Sequence, residues 1–201
     1  MNQKINALYF SATGTTEKIV TGIAERIAEN YGGAITVNNM DFTLPEAREK
    51  ALSFDADTLV IAGVPVYAGR VPNVLLKFLN KISGNGATAV VVVLYGNRHY
   101  DDALIEFKDI LEADGFKVVA GGAFIGEHSF STTLAGNRPD GQDMAAADDF
   151  ADKIYDKLKT PGKIPGCVVK GKIPYRDYYR PKDPNGNPVN ILKVTPKTNG
   201  D

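Results

Sequence analysis

Residues 8–29, LYFSATGTTEKIVTGIAERIAE, decide how this chain is read. An apolar run ends at Phe10. Six small or hydroxylated residues follow, Ser11-Ala12-Thr13-Gly14-Thr15-Thr16, and then Ile19, Ile23, Ala24 and Ile27 recur at helical spacing. A strand that turns directly into a helix presents free backbone N–H groups and the positive end of the helix dipole, which suits a phosphate. A Walker loop needs Gly-Lys-Ser/Thr, and no lysine stands in this loop before Lys18; a dinucleotide fingerprint needs three glycines, and this loop has one. The loop therefore reads as a seat for one terminal monophosphate held by neutral donors. Gly14 lets the backbone approach, and Ser11, Thr13 and Thr16 supply hydroxyls. The competing reading is an ordinary hydroxyl-rich helix cap.

The same alternation continues outward from this stretch. Strand-like runs are expected at 4–10, 34–38, 57–63, 87–95 and 117–125. The run Val90-Val91-Val92-Val93-Leu94 is apolar on both faces, as in a parallel sheet covered by helices on both sides. Helices are expected at 15–30, 72–82 (opening on Pro72), 101–114 and 143–159, with a short one within 41–53. Repeated strand–helix–strand units imply right-handed crossovers. The predicted fold is an α/β doubly wound sheet of five parallel strands, order 2-1-3-4-5, with helices on both faces.

This domain is expected to span residues 1–159. Residues 160–201 break the pattern with seven prolines, Pro161 to Pro196, and read as an extended tail or linker with a turn at Pro184-Asn185-Gly186-Asn187. The tail holds eight Lys and Arg against three Asp and Glu, a formal +5, which leaves −6 on the rest of a chain whose total is −1. Its charge is either plain solvated surface or the means by which it docks on an acidic face of its own body or of another protein.

The stretch Tyr9 to Thr16 resembles the flavodoxin signature S-x-T-G-x-T, which binds the phosphate of FMN. That resemblance implies a flavodoxin-like domain with FMN as cofactor. It also implies that the flavin ring lies between two later loops, each at the carboxyl end of a strand. The first is Pro65-Val66-Tyr67-Ala68-Gly69-Arg70 and the second is Tyr95-Gly96-Asn97-Arg98-His99-Tyr100. Tyr67 and Tyr100 are the expected ring-stacking residues, each with the alternative of a half-buried loop tyrosine. The resemblance also gives Gly69 or Ala68 a part in a peptide that turns its carbonyl toward flavin N5; the alternative is a plain turn glycine.

Two features depart from ordinary flavodoxins. Arg70, Arg98 and His99 stand in loops that are acidic in that family, which predicts a less negative potential for the second electron. A long insert, 126–143, follows the fifth strand; it either is a surface loop, with His128 an ordinary loop histidine, or covers the flavin. The segments GNRHYDDAL and GEHSFS…GNRPDGQD are most similar to the flavodoxin-like half of bacterial flavodoxin–ferredoxin fusion proteins. An iron–sulfur ferredoxin segment is thus an expected redox partner.

The totals bound the function. A charged fraction of 23% and an apolar fraction of 43% are those of a globular domain. No apolar run reaches membrane-spanning length, and the start Met1-Asn2-Gln3-Lys4 lacks the pattern of a secretory signal, so the expected location is the cytoplasm. One cysteine, Cys167, excludes an internal disulfide and a four-cysteine metal or cluster site within this chain. An acidic body without a nucleic-acid motif argues against nucleic-acid binding. Three functions remain: an FMN-dependent electron-transfer domain, an NAD(P)H-dependent flavin or quinone reductase of the same fold, and a scaffold that has lost its flavin. The sequence names no catalytic residue.

Overall fold

The structure, a computed structural model, describes residues 4–131, 133–162 and 164–189. Met1–Gln3 and the tail's end from residue 190, with Pro196, lie outside the described residues. Five parallel strands form one sheet in the order β2-β1-β3-β4-β5. They are β1 (Lys4–Tyr9), β2 (Val37–Asp41), β3 (Thr58–Pro65), β4 (Thr88–Tyr95) and β5 (Lys117–Ile125). The helices are α1 (Thr15–Asn30), α2 (Asn73–Leu79), α3 (Ala103–Ala113) and α4 (Gly141–Lys159), with a 3₁₀ turn at Pro45–Arg48.

Why these residues make two layers around a sheet follows from the strands. β3 and β4 are buried along nearly their whole length. Alternate residues feed opposite faces. Val60, Ala62, Val91 and Val93 join one core with Leu75, Leu79, Phe107 and Leu111 of α2 and α3. Leu59, Ile61, Val90 and Val92 join the other with Ile19, Ile23, Ile27 and Ile154 of α1 and α4.

Several element boundaries differ from the sequence reading: β3 runs on to Pro65, α2 ends at Leu79 and α3 starts at Ala103, and three further shifts have a local cause. β2 lies at 37–41 instead of 34–38, paired Ile5 with Val37 through Tyr9 with Asp41. As an edge strand it is half-exposed and polar, and Ile35, which suggested the earlier span, packs into the core just before it. α2 starts at Asn73, because Pro72 keeps an extended ψ of 121°. α4 starts at Gly141, two residues early, behind a reciprocal cap: Asp140 accepts from the Gln142 and Asp143 N–H groups while Asp143 accepts from the Asp140 N–H.

The described part of the tail lies against this body. Cys167 N–H bonds to Val118 O along β5. Further on, Asp102 accepts from the Lys172 and Arg176 N–H groups at 2.9 and 2.8 Å, and Arg176 pairs with Asp101 at 2.7 Å. The tail thus docks on the acidic start of α3. The expected turn closes one residue early, between Asp183 and Gly186.

Candidate functional site

The loop 11–16 sits at the carboxyl end of the sheet, and its position depends on how closely α1 approaches β3. A Cβ on Gly63 would lie 2.2 Å from Val20 Cγ2 and 3.2 Å from Thr16 Cγ2, so only glycine admits α1 at this distance. Gly14 takes a left-handed φ of 78° and turns the chain into the helix. Ser11 Oγ accepts the Glu17 N–H at 3.0 Å, and the Lys18 N–H goes to Gly14 O. The N–H groups of Thr15 and Thr16 stand at the helix start, where no intrahelical carbonyl can reach them. The Thr13 and Thr15 hydroxyls lie 3.3 Å apart beside them. Behind the loop, Tyr9 OH donates to Glu17, and burial followed by that carboxylate pushes the phenol up to about 12.

A cavity of about 440 Å³ opens from this loop. Ala12, Thr13, Thr15 and Thr16 line one end. Pro65, Val66, Tyr67, Ala68, Leu94, Tyr95 and Gly96 form the next walls, and Gly126 to Phe130 close the remaining side. Beyond the loop a more open space of about 640 Å³ is bordered by Thr13, Gly14, Thr15, Lys18, Asn137 and Arg138. Lys18 Nζ donates to Pro139 O there, and Arg138 is held by Asp143. A smaller recess of about 140 Å³ joins the cavity on the other side, between Val66, Ala68, Gly69, Tyr95, Gly96, Arg98, His99, His128 and Tyr179.

The loop after β3, expected to flank the ring, is a tight two-residue turn. Tyr67 and Arg70 exchange two backbone hydrogen bonds, with Ala68 at φ 53° and Gly69 at φ 82°. A Cβ on Gly69 would lie 2.7 Å from Asp101 Oδ2, so this position also needs glycine for space. The Ala68 carbonyl accepts from the Tyr179 N–H of the tail. Tyr67 lines the cavity and is 40% exposed.

Four expected site residues border none of these spaces: Ser11, Arg70, Asn97 and Tyr100. Arg70 turns away. Its guanidinium forms a fork with Glu106, both bonds at 2.7 Å, donates to Arg176 O, and lies between the Tyr175 and Tyr178 rings. The hydrogen bonds it donates to Glu106 hold its charge on more firmly than usual. Tyr100 stacks on His99 and meets the edge of Tyr95 instead of facing the cavity. Asn97 spends its left-handed φ of 62° turning the second loop. Arg98 reaches the recess but pairs with Asp101. Both arginines of these loops are therefore matched by carboxylates, which weakens the electrostatic argument for a less negative potential of the second electron.

The insert supplied what the sequence reading left open. It is a closed loop, with Glu127 N–H to Arg138 O, His128 N–H to Leu134 O and Asn137 N–H to the Glu127 carboxylate. It brings His128 against Gly96, where an added Cβ would lie 2.6 Å from the ring. Glu127, Ser129 and Phe130 belong to the insert that one reading of the sequence placed over the flavin, and they line the cavity; Leu94 and Tyr179 were not foreseen as lining residues.

A family model described as a flavodoxin domain matches residues 7–122. No curated protein sequence matches the chain. Among solved structures, it is similar to a flavodoxin of Streptococcus pneumoniae TIGR4, at 16% identity and TM-score 0.52 over 76% of this chain and 98% of that one. Flavodoxin 2 of Bacillus cereus gives 19% and 0.52 over 77% and 99%. Rubredoxin oxygen:oxidoreductase of Desulfovibrio gigas gives 19% and 0.53 over 78% of this chain but 36% of that one. At these identities the structures speak for the fold. With the family model spanning more than half of the sequence, and the strand order and the hydroxyl loop at the start of α1 as described, the chain belongs to the flavodoxin family.

Proposed function

We propose that this domain binds FMN and transfers electrons through it. One observation carries the reading: a single cavity has helix-terminal N–H groups and threonine hydroxyls at one end and apolar and aromatic walls at the other. Its 440 Å³ lies in the range of cofactor sites, roughly 300–1,000 Å³. The residues fit the group. Thr13, Thr15 and the N–H groups of Thr15 and Thr16 would hold the phosphate without a cationic side chain. Pro65 to Ala68 and Glu127 to Phe130 would flank the ring and exclude water from it, and Tyr67 offers an aromatic face. Bound FMN supplies the one- and two-electron chemistry, and the protein supplies position and electrostatics. A redox protein, of the iron–sulfur class on the resemblance noted above, would be the partner.

A reductase acting on a small substrate is the second reading. The recess beside the cavity favours it, since an electron carrier that meets only a protein needs no such space. Rapid oxidation of NADPH without a partner protein would distinguish it. The visible spectrum of purified protein before and after adding FMN tests the first reading. Flavin absorbance is expected, with riboflavin, which lacks the phosphate, binding far more weakly. A protein that stays colourless with FMN would leave only the scaffold reading.

A further inference from the structure

The tail segment Tyr175–Tyr179 bonds to both loops that leave the carboxyl end of the sheet beside the cavity. On the loop after β3, the Tyr179 N–H donates to Ala68 O at 3.0 Å and the Tyr178 hydroxyl to Val71 O at 2.7 Å. Arg70 of that loop donates to Arg176 O at 2.6 Å, with its guanidinium carbon 4.8 and 5.0 Å from the Tyr175 and Tyr178 ring centres. On the loop after β4, the Arg176 guanidinium donates to Asp101 at 2.7 Å and the Arg176 N–H to Asp102 at 2.8 Å. Arg176 therefore reaches both loops, one with its carbonyl and the other with its side chain and N–H.

The loops also meet each other at this point. The Asp102 N–H donates to Gly69 O at 3.1 Å, and the Asp101 carboxylate occupies the space that a Cβ on Gly69 would need. One oxygen of that carboxylate takes Arg98 of its own loop and the other takes Arg176 of the tail. Ala68 carries the consequence to the cavity. It lines the wall and holds a left-handed φ of 53°, which a residue with a Cβ adopts at a cost. The tail, through Tyr179 N–H, shares in holding that conformation. None of residues 175–179 lines the main cavity, so they act on it through the loops. Among the described residues, no hydrogen bond joins this segment to the loop 11–16.

We infer that residues 175–179 are a strap that fixes the two loops relative to each other, with Arg176 and Tyr178 as positioning residues for the flavin ring. The strap's role rests on the FMN reading and extends it: the tail completes the ring end of the site and not the phosphate end.

FMN and riboflavin share the ring and differ in the phosphate, so titrating the full chain with both separates the two ends. Arg176→Ala and Tyr178→Phe should each weaken both ligands by the same factor, about threefold to tenfold, the worth of one hydrogen bond. The visible circular dichroism of the bound flavin, which reports the surroundings of the ring, should change in both variants. Arg176→Lys keeps a cation for Asp101 and should recover most of the affinity and the wild-type spectrum. Arg26→Ala breaks an ion pair with Asp152 between α1 and α4, on the other face of the sheet, and should alter neither affinity nor dichroism. Should Arg176→Ala fail to fold, Tyr178→Phe, which loses a single oxygen, decides. The strap is overturned if the wild type binds both flavins and the folded variants keep its affinities and dichroism. A loss for FMN but not riboflavin overturns it too, since the effect would then lie at the phosphate. So does Arg176→Lys behaving like Arg176→Ala, or an equal loss in Arg26→Ala. A wild type that binds neither flavin overturns the FMN reading and the strap's role with it.

Discussion

At the residue scale the phosphate loop and Arg70 make opposite predictions. Thr13 and Thr15 stand at the cavity end with their hydroxyls 3.3 Å apart, and the loop has no cation of its own. Thr13→Ala and Thr15→Ala should each weaken FMN by about 1–2 kcal/mol, the worth of one charge-assisted hydrogen bond, and leave riboflavin binding nearly unchanged. Equal losses for both ligands in a flavin-fluorescence titration would place the phosphate elsewhere. Arg70 should act on stability. Its partner Glu106 is 4% exposed at the side chain and also accepts the Val71 N–H at 2.8 Å. Arg70→Gln leaves that carboxylate buried and unpaired. It should cost about 3 kcal/mol in urea unfolding, the low end for breaking a buried pair because water reaches part of Arg70. Arg70 and Tyr100 show what the sequence could not tell. Loop membership follows from chain order, and both loops lie where expected. The direction of a side chain depends on its partner, and Arg70 finds Glu106 36 residues away, on α3.

Elements were legible where their own residues carried the signal. α1 ran over the span expected, because apolar periodicity and the loop before it agree. β2 was displaced because an edge strand buries few side chains, so periodicity has little to act on. The insert 126–143 was noticed as long, but its closure depends on pairs such as Glu127 with Arg138 and Asn137, which no local pattern announces. The element most consequential for the site is the contact of α1 on β3. Gly63→Ala would force its methyl to 2.2 Å from Val20 Cγ2 and push the helix outward. Overpacking of this kind costs about 1–3 kcal/mol. FMN affinity should fall with it, because Thr16 in the first turn of α1 lies 3.2 Å from the same methyl position. A variant with reduced stability and unchanged FMN affinity would show that the loop keeps its place independently of the helix.

The whole molecule combines a sheet whose topology was readable from strand–helix alternation with a docked tail whose course was not, since its anchors on Asp101 and Asp102 lie some 70 residues back in the chain. Its stability against pH is likewise a sum over distant groups, and they disagree in sign. Burial works against the Asp101 charge, but hydrogen bonds from Arg176 and Arg98 outweigh it and hold the carboxyl below its ordinary value. Arg138 does the same for Asp143. A depressed carboxylate contributes stability above its unfolded pKa, and that contribution is lost as pH falls through the folded value. Asp114 runs the other way. It caps the end of α3 with Oδ2 buried and without a partner among the described groups, and burial pushes its pKa up to about 6. The unfolded chain releases this proton near the ordinary value of about 4. The protonated form thus stabilises the fold below that value, and the contribution disappears as pH rises through about 6. Above it the fold carries a charge that water reaches poorly. Asp114→Asn keeps the shape and removes the charge. The variant should melt higher than the wild type at pH 7–8, and the gap should close between about pH 6 and 4 as the wild-type carboxyl takes up its proton. Paired melting curves across that window decide the matter: a constant gap would mean that Asn acts by packing, and no gap at pH 8 would mean that water already reaches Oδ2.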